Sequence, residues 1–203
     1  MGVLERGFKT WAEQLALSIR RELDLAPHAP LPPLCLAEHL GVRVWTPHDV
    51  PGLPQAVLDQ LLHRDPDGWS AVTCSVADTA LIIYNPRHSL ARQNSDLAHE
   101  LGHIILEHEP SKVVLSHDGT MTMRSFDDKQ EEEANWLGWC LLLPRPALMH
   151  AMKVRLATGA IAQQWSVSEQ LVEFRIRMTG VRVQFRRRTV DHNAERGTRR
   201  NTI

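Results

Sequence analysis

His99-Glu100-Leu101-Gly102-His103 sets two imidazoles four residues apart, with a carboxylate directly after the first. On a helix, residues four apart lie one above the other, so both rings can address a single ion. Neutral imidazole is a zinc ligand, and a carboxylate beside the ion's open position can take a proton from water. The pattern points to metal-assisted hydrolysis, with His99 and His103 as Zn2+ ligands and Glu100 as general base.

A tetrahedral site needs a third protein donor. The acidic start of the segment from Gln130 to Pro144 offers Glu131, Glu132 and Glu133. Acidic residues in a first turn also complement the helix dipole, which would by itself account for all three. Helical phase separates them. Glu133 shares a face with Trp136, Leu137 and Cys140, the apolar stripe expected to be buried. Glu132 aligns with Trp136 and Trp139, and Glu131 with Ala134 and Asn135. Because a ligand must project inward, Glu133 is the favoured third ligand and Glu132 the runner-up. Glu107 and His108, one turn past His103, are read as helix-end groups or as groups just outside the coordination sphere. Stabilising an oxyanion calls for one further donor. Tyr84, the sole tyrosine, and His117 are candidates. Asn135 and Asp128 are candidates for orienting the ligand imidazoles.

These side chains need helices to present them. Leu97, Ala98, Leu101, Ile104 and Ile105 recur at helical spacing, with no proline before Pro110, which predicts a helix from Ser89 to His108. Trp69 to Ser75 and Thr79 to Tyr84 read as antiparallel strands joined near Ala77 and Asp78, and Val42 to Trp45 as another short strand. Glu5 to Leu25 is an amphipathic helix. Leu34 to Leu40 is a short one ended by Gly41. Val57 to His63 fits either helix or strand. Glu109 to Asp128 is a long polar loop between the two ligand-bearing helices, read as a substrate-facing flap or as disorder. Arg145 to Leu156 forms another helix. Ala160 to Ser168 and Glu169 to Met178 then form a short helix pair around a Ser-Val-Ser turn, with Ser168 as N-cap. Arg175 and Arg177 lie on the second of these helices, and Val181 to Phe185 reads as a short strand.

With these residues the chain resembles the ImmA/IrrE family of zinc metallo-endopeptidases. The resemblance rests on Arg92 to His103, on Glu131-x-Glu-Ala-Asn135 followed by Leu141-Leu-Leu-Pro144, and on Trp69-Ser-Ala71 with Ile82-Ile-Tyr-Asn85. It extends from about Leu34 to about Gly180. It implies His99, His103 and Glu133 as ligands and Glu100 as base. It also implies an α+β fold: a mostly helical zincin-like core with a small antiparallel sheet packed on the HExxH helix, and a C-terminal helix-turn-helix-like element. Three parts follow: a metallopeptidase domain over 1–155, the helix-turn-helix-like element over 156–186, and a basic, disordered tail over 187–203. The implied substrate is a helix-turn-helix transcriptional repressor of the XRE type, cut to relieve repression, in transcription regulation or a stress response. Trp136 and Trp139 stand where the family often has small residues.

At 203 residues and a net charge of -1, the chain can bury an ordinary core. The charge is uneven: from Phe174 to Ile203 there are nine arginines against Asp191 and Glu195. That block suggests weak, salt-sensitive contact with nucleic acid or an acidic partner. Cys35, Cys74 and Cys140 are scattered and imply neither a disulfide framework nor a zinc ribbon. No long apolar run or leader-like segment is visible, so a soluble, cytoplasmic protein without membrane partners is expected. Two other classes fit the same residues. One is a non-catalytic DNA-binding regulator with a structural metal; the other is a zinc hydrolase of non-peptide amides.

Overall fold

The computed structural model describes residues 4–76, 79–108, 113–115, 121–123 and 127–185. In chain order the elements are α1 (Phe8–Glu22), α2 (Pro33–His39), β1 (Arg43–Trp45), a 3-10 turn (Pro47–Asp49) and α3 (Gln55–Asp59), which runs into a π-helical turn (Gln60–Arg64). Then follow β2 (Ala71–Val76), β3 (Thr79–Tyr84), α4 (Leu90–Ile105), β4 (Val113–Leu115), β5 (Met121–Met123), α5 (Asp128–Leu142), α6 (Arg145–Lys153), α7 (Thr158–Trp165) and α8 (Glu169–Thr179). The class is α+β, mostly helical, with a small sheet.

α4 and α5 pack directly on each other because each offers the other a glycine. A Cβ on Gly102 would stand 2.9 Å from the carbonyl oxygen of Ala134, and one on Gly138 would stand 3.0 Å from that of Ala98. Without those side chains the two backbones approach closely, which brings short side chains from both helices to one point. On its other sides α5 is covered. Trp136, Leu137, Cys140 and Leu141 join Ala12, Ala16 and Ile19 of α1 and Leu97 and Leu101 of α4 in one buried cluster. Leu142 and Leu143 open a second cluster with Ala147 and Leu148 of α6, Ile161 of α7 and Val172 and Ile176 of α8. Fully burying one leucine is worth about 1.5–3 kcal/mol, so α5, shared by both clusters, is the energetic spine.

Side chains cap the N-termini of α4, α5 and α8. Ser89 Oγ accepts from the Arg92 amide (3.4 Å) at the start of α4, and Asp127 Oδ1 from that of Lys129 (2.9 Å) at the start of α5. The C-terminal carbonyls of α5 are met by two buried arginines. Arg20 Nη2 donates to Leu141 O (2.6 Å) and Arg175 Nε to Leu143 O (3.0 Å). Cations suit that end of the helix dipole. Ser168 caps α8 as expected, accepting from the Leu171 amide at 3.1 Å.

The three-stranded sheet has the order β1-β3-β2. β2 and β3 are antiparallel, with Ala71 opposite Tyr84, but β1 runs parallel to β3, so the sheet is mixed rather than antiparallel. The reason lies between Trp45 and Thr79: the intervening turn, α3 and β2 give a connection long enough for a parallel crossover. Two other expectations change. Residues 57–63 are helical throughout, and residues 181–185 continue as helix instead of a strand. Within the long loop, β4 and β5 pair as a short antiparallel ladder. The tail expected over 187–203 lies outside the described residues.

Candidate metal centre

α4 carries His99 and His103 on one face, and α5 brings Glu131 over them. His99 Nε2 lies 3.0 Å from His103 Nε2. The Glu131 carboxylate completes the triangle, with Oε2 at 3.2 Å from His99 Nε2 and Oε1 at 3.4 Å from His103 Nε2. Zinc ligands about 2.0–2.2 Å from the ion at tetrahedral angles lie roughly 3.3–3.5 Å from one another. The spacing and the donor set, two imidazoles and a carboxylate, fit such an ion. Among the described residues it is the one group of three or more such donors close enough to share a metal. His103 is suited to ligation: burial, and then the neighbouring rings of His99 and His108, hold its pKa down to about 4, so the imidazole is neutral near pH 7.

Glu133, the expected third ligand, is not at the two imidazoles; it contacts His108 Nε2 at 3.3 Å instead. The expectation took the apolar stripe of α5 as the face that meets the metal. That stripe faces α1 and the core. The face turned to α4 runs through Ala134 and Gly138, and Glu131 and Asn135 share it. Asn135 Oδ1 lies 3.1 Å from His99 Nδ1, a distance at which a proton on Nδ1 leaves Nε2 as the free lone pair. Glu131 and Asn135 are therefore four apart on α5, a spacing that mirrors His99 and His103 on α4. Asp128 is exposed at the start of α5 and meets neither ring.

Glu100 points from the same turn of α4 toward the sheet, where Thr73 on β2 donates its hydroxyl to Glu100 Oε2. Burial raises the Glu100 pKa, opposed by the Thr73 hydrogen bond and the charge of His99 and reinforced by Glu131 and Asp96. A carboxylate raised toward neutrality is a more effective proton acceptor than an exposed one. His99, Glu100 and Asn135 open on a cleft of about 300 Å³ that is also lined by Ser70, Ala71, Ser95 and Asp96. Asp96 rests on His88 Nδ1 (3.3 Å), and buried Asn85 holds the chain between β3 and α4 through Trp69 O (3.1 Å) and the Arg87 amide (2.9 Å). This network fixes the start of α4. Thr73 was missed by sequence reasoning, although the alternation of β2 puts it on the same face as Ala71, toward α4.

Of the other sequence candidates, Tyr84 packs against the main core cluster and does not line the cleft, and His117 lies outside the described residues. Arg175, on the second helix of the C-terminal pair, is fully buried and paired with Glu13 of α1; Arg177 is exposed beside Phe174.

The profile of the IrrE N-terminal-like domain, a peptidase family designated M78, matches residues 54–177. A Mycobacterium tuberculosis transcriptional regulator of known structure is similar at 12% identity with a TM-score of 0.42, over 83% of this chain and 46% of its own. The chain thus spans less than half the length of that protein. No curated protein matches the chain.

Proposed function

Because this chain belongs to the IrrE N-terminal-like peptidase family, we propose that it is a zinc-dependent endopeptidase with His99, His103 and Glu131 as ligands and Glu100 as general base. The observation that carries the reading is the convergence of three donors from two helices at 3.0–3.4 Å, with Glu100 on the adjoining cleft. Zinc, when bound, supplies Lewis acidity toward water and the scissile carbonyl. Asn135 holds His99 in the tautomer whose Nε2 can ligate. Thr73 engages Oε2 of Glu100, so Oε1 is the oxygen that takes the proton of the attacking water. The same carboxyl then delivers that proton to the leaving amine.

The fold reading that goes with this is a zincin-like core, in which the HExxH helix lies against the mixed sheet, followed by a helix-turn-helix-like pair in α7 and α8 within 156–186. The substrate is an XRE-type helix-turn-helix repressor, and cleavage relieves repression in the cytoplasm. Family resemblance supports this substrate class. Among the described residues no helix is long and apolar enough to cross a membrane. The burial of Arg175 favours the peptidase over a DNA-binding regulator that reads sequence with α8.

The test is co-incubation with a repressor of this type encoded beside the protein. Zinc-loaded protein should yield a defined fragment, and a chelator should suppress it. Glu100→Gln should lower the cleavage rate by at least about 10²–10⁴-fold while zinc stays bound. Normal cutting by that variant would remove Glu100 from the base role, and absence of any fragment would remove the proposed substrate.

A further inference from the structure

Beyond the three ligands, the structure holds a second set of groups that no role has yet absorbed: His108, Glu133 and the turn that brings them together. α4 is capped at Leu106, after which Glu107 adopts the left-handed conformation at φ 53°. The amide of Glu107 then donates to Ile104 O (3.1 Å) and that of His108 to His103 O (3.0 Å). These two bonds are the Schellman closure of a helix, which folds the residue two beyond the cap back over the last turn. A left-handed residue other than glycine costs about 1–2 kcal/mol. Here that conformation delivers the ring of His108 onto the ring of His103, where an apolar contact is the usual occupant of such a turn.

The contacts form a chain. His108 Nδ1 lies 2.9 Å from His103 Nδ1, and His108 Nε2 lies 3.3 Å from Glu133 Oε2. Both outer side chains are largely buried, His108 at 7% exposure and Glu133 at 14%. Lys129 Nζ stands 3.8 Å from Glu133 Oε1 and sets a positive charge beside the carboxylate. One proton arrangement satisfies every link with Glu133 ionised and both rings neutral. His108 donates from Nε2 to Glu133, and His103 donates from Nδ1 to His108 Nδ1. His103 Nε2 is then the bare lone pair, and it is the nitrogen that faces His99 and Glu131. The opposite arrangement would put a proton on His103 Nε2 and aim the His108 lone pair at a carboxylate.

We propose that His108 and Glu133 are positioning residues for the metal centre: a carboxylate–imidazole relay that locks the tautomer and orientation of His103, as Asn135 does for His99. The inference rests on the reading of His99, His103 and Glu131 as zinc ligands. The two ligands are then held by unlike arms. His99 leans on an amide, His103 on a carboxylate acting through a ring. Outer partners of this kind are typically worth 10–100-fold in metal affinity.

The experiment measures Zn2+ affinity of the metal-free protein by competition with a chromophoric chelator, alongside the unfolding temperature of the same metal-free samples. His108→Leu should bind Zn2+ about 10–100-fold more weakly than the wild type. His108→Gln, whose side-chain oxygen can still accept from His103 Nδ1, should recover most of that loss. Glu133→Leu, which alters only the far end of the relay, should weaken binding without touching His103 and decides the matter if His108→Leu does not fold. Wild-type affinity in a folded His108→Leu or in Glu133→Leu would overturn the proposal. So would losses that track the unfolding temperature, with no recovery in His108→Gln. A wild-type protein that binds no Zn2+ would overturn the ligand reading itself, and this proposal with it.

Discussion

At His103 a half-buried ring is held neutral by its surroundings, and this has a measurable cost in acid. In the unfolded chain the imidazole takes up a proton near its ordinary pKa of 6.5, whereas in the metal-free fold it does so only near 4. Between those values the unfolded state binds more protons, so His103 contributes stability that is present above about pH 6.5 and lost as pH falls toward 4. Glu100 and Asp96, both raised by burial, act in the opposite sense, since their protonated forms are favoured by the fold. The His103 share is therefore best isolated by comparison. In urea unfolding with chelator at pH 7 and pH 5, the wild type should lose more stability than His103→Asn. Equal losses would show that His103 titrates normally in the fold. The pairing of His99 with His103 was legible in the sequence because residues four apart share one face of a helix, while Glu100, next to His99, turns toward the sheet. Thr73 was not, because its partner Glu100 is reached only after β2 has docked beneath α4.

The third donor was lost to sequence reasoning at the scale of elements. α5 is buried on more than one side, and its large apolar residues identify only the side toward α1. The side toward α4 is marked by small residues, Ala134 and Gly138, which a search for hydrophobic stripes passes over. Glu131 follows from that second face and Glu133 from the first. Gly138 is the sensitive point of the contact: its missing side chain lets the Ala98 carbonyl approach to 3.0 Å of where a Cβ would sit. Gly138→Ala should push α4 from α5 and lower stability by about 1–3 kcal/mol, the usual cost of overpacking against backbone. Zinc affinity should fall as well, because Glu131 and the histidines lie on opposite sides of that contact. Urea titration and chelator competition on the same preparation would check both, and a stable variant of wild-type affinity would mean that the helices tolerate separation. The mixed order of the sheet was beyond the sequence for a related reason: strand patterns reveal that β1 exists but not which neighbour it joins.

Across the whole molecule, the C-terminal helices are bound into the peptidase core. Arg175 crosses from α8 to Glu13 of α1 and to Leu143 O at the end of α5, tying three distant parts of the chain together. Sequence patterning found the α7–α8 pair and its Ser168 cap, yet it left Arg175 available to an outside partner, because a buried arginine is rare without a mate and the mate lies 162 residues away. Glu13→Ala should cost about 3–5 kcal/mol, since it strands a desolvated guanidinium. A loss under 1 kcal/mol in chemical denaturation would show that water reaches Arg175. The arrangement as a whole serves one end, which is to hold α4 and α5 at the distance where Glu131 caps two imidazoles. The direct measurement is anomalous diffraction at the zinc edge from crystals of the zinc-loaded protein. It should place one ion about 2.0–2.2 Å from His99 Nε2, His103 Nε2 and a carboxylate oxygen of Glu131, with Glu133 remaining on His108. An ion held by Glu133, or one bound away from the two histidines, would contradict the account.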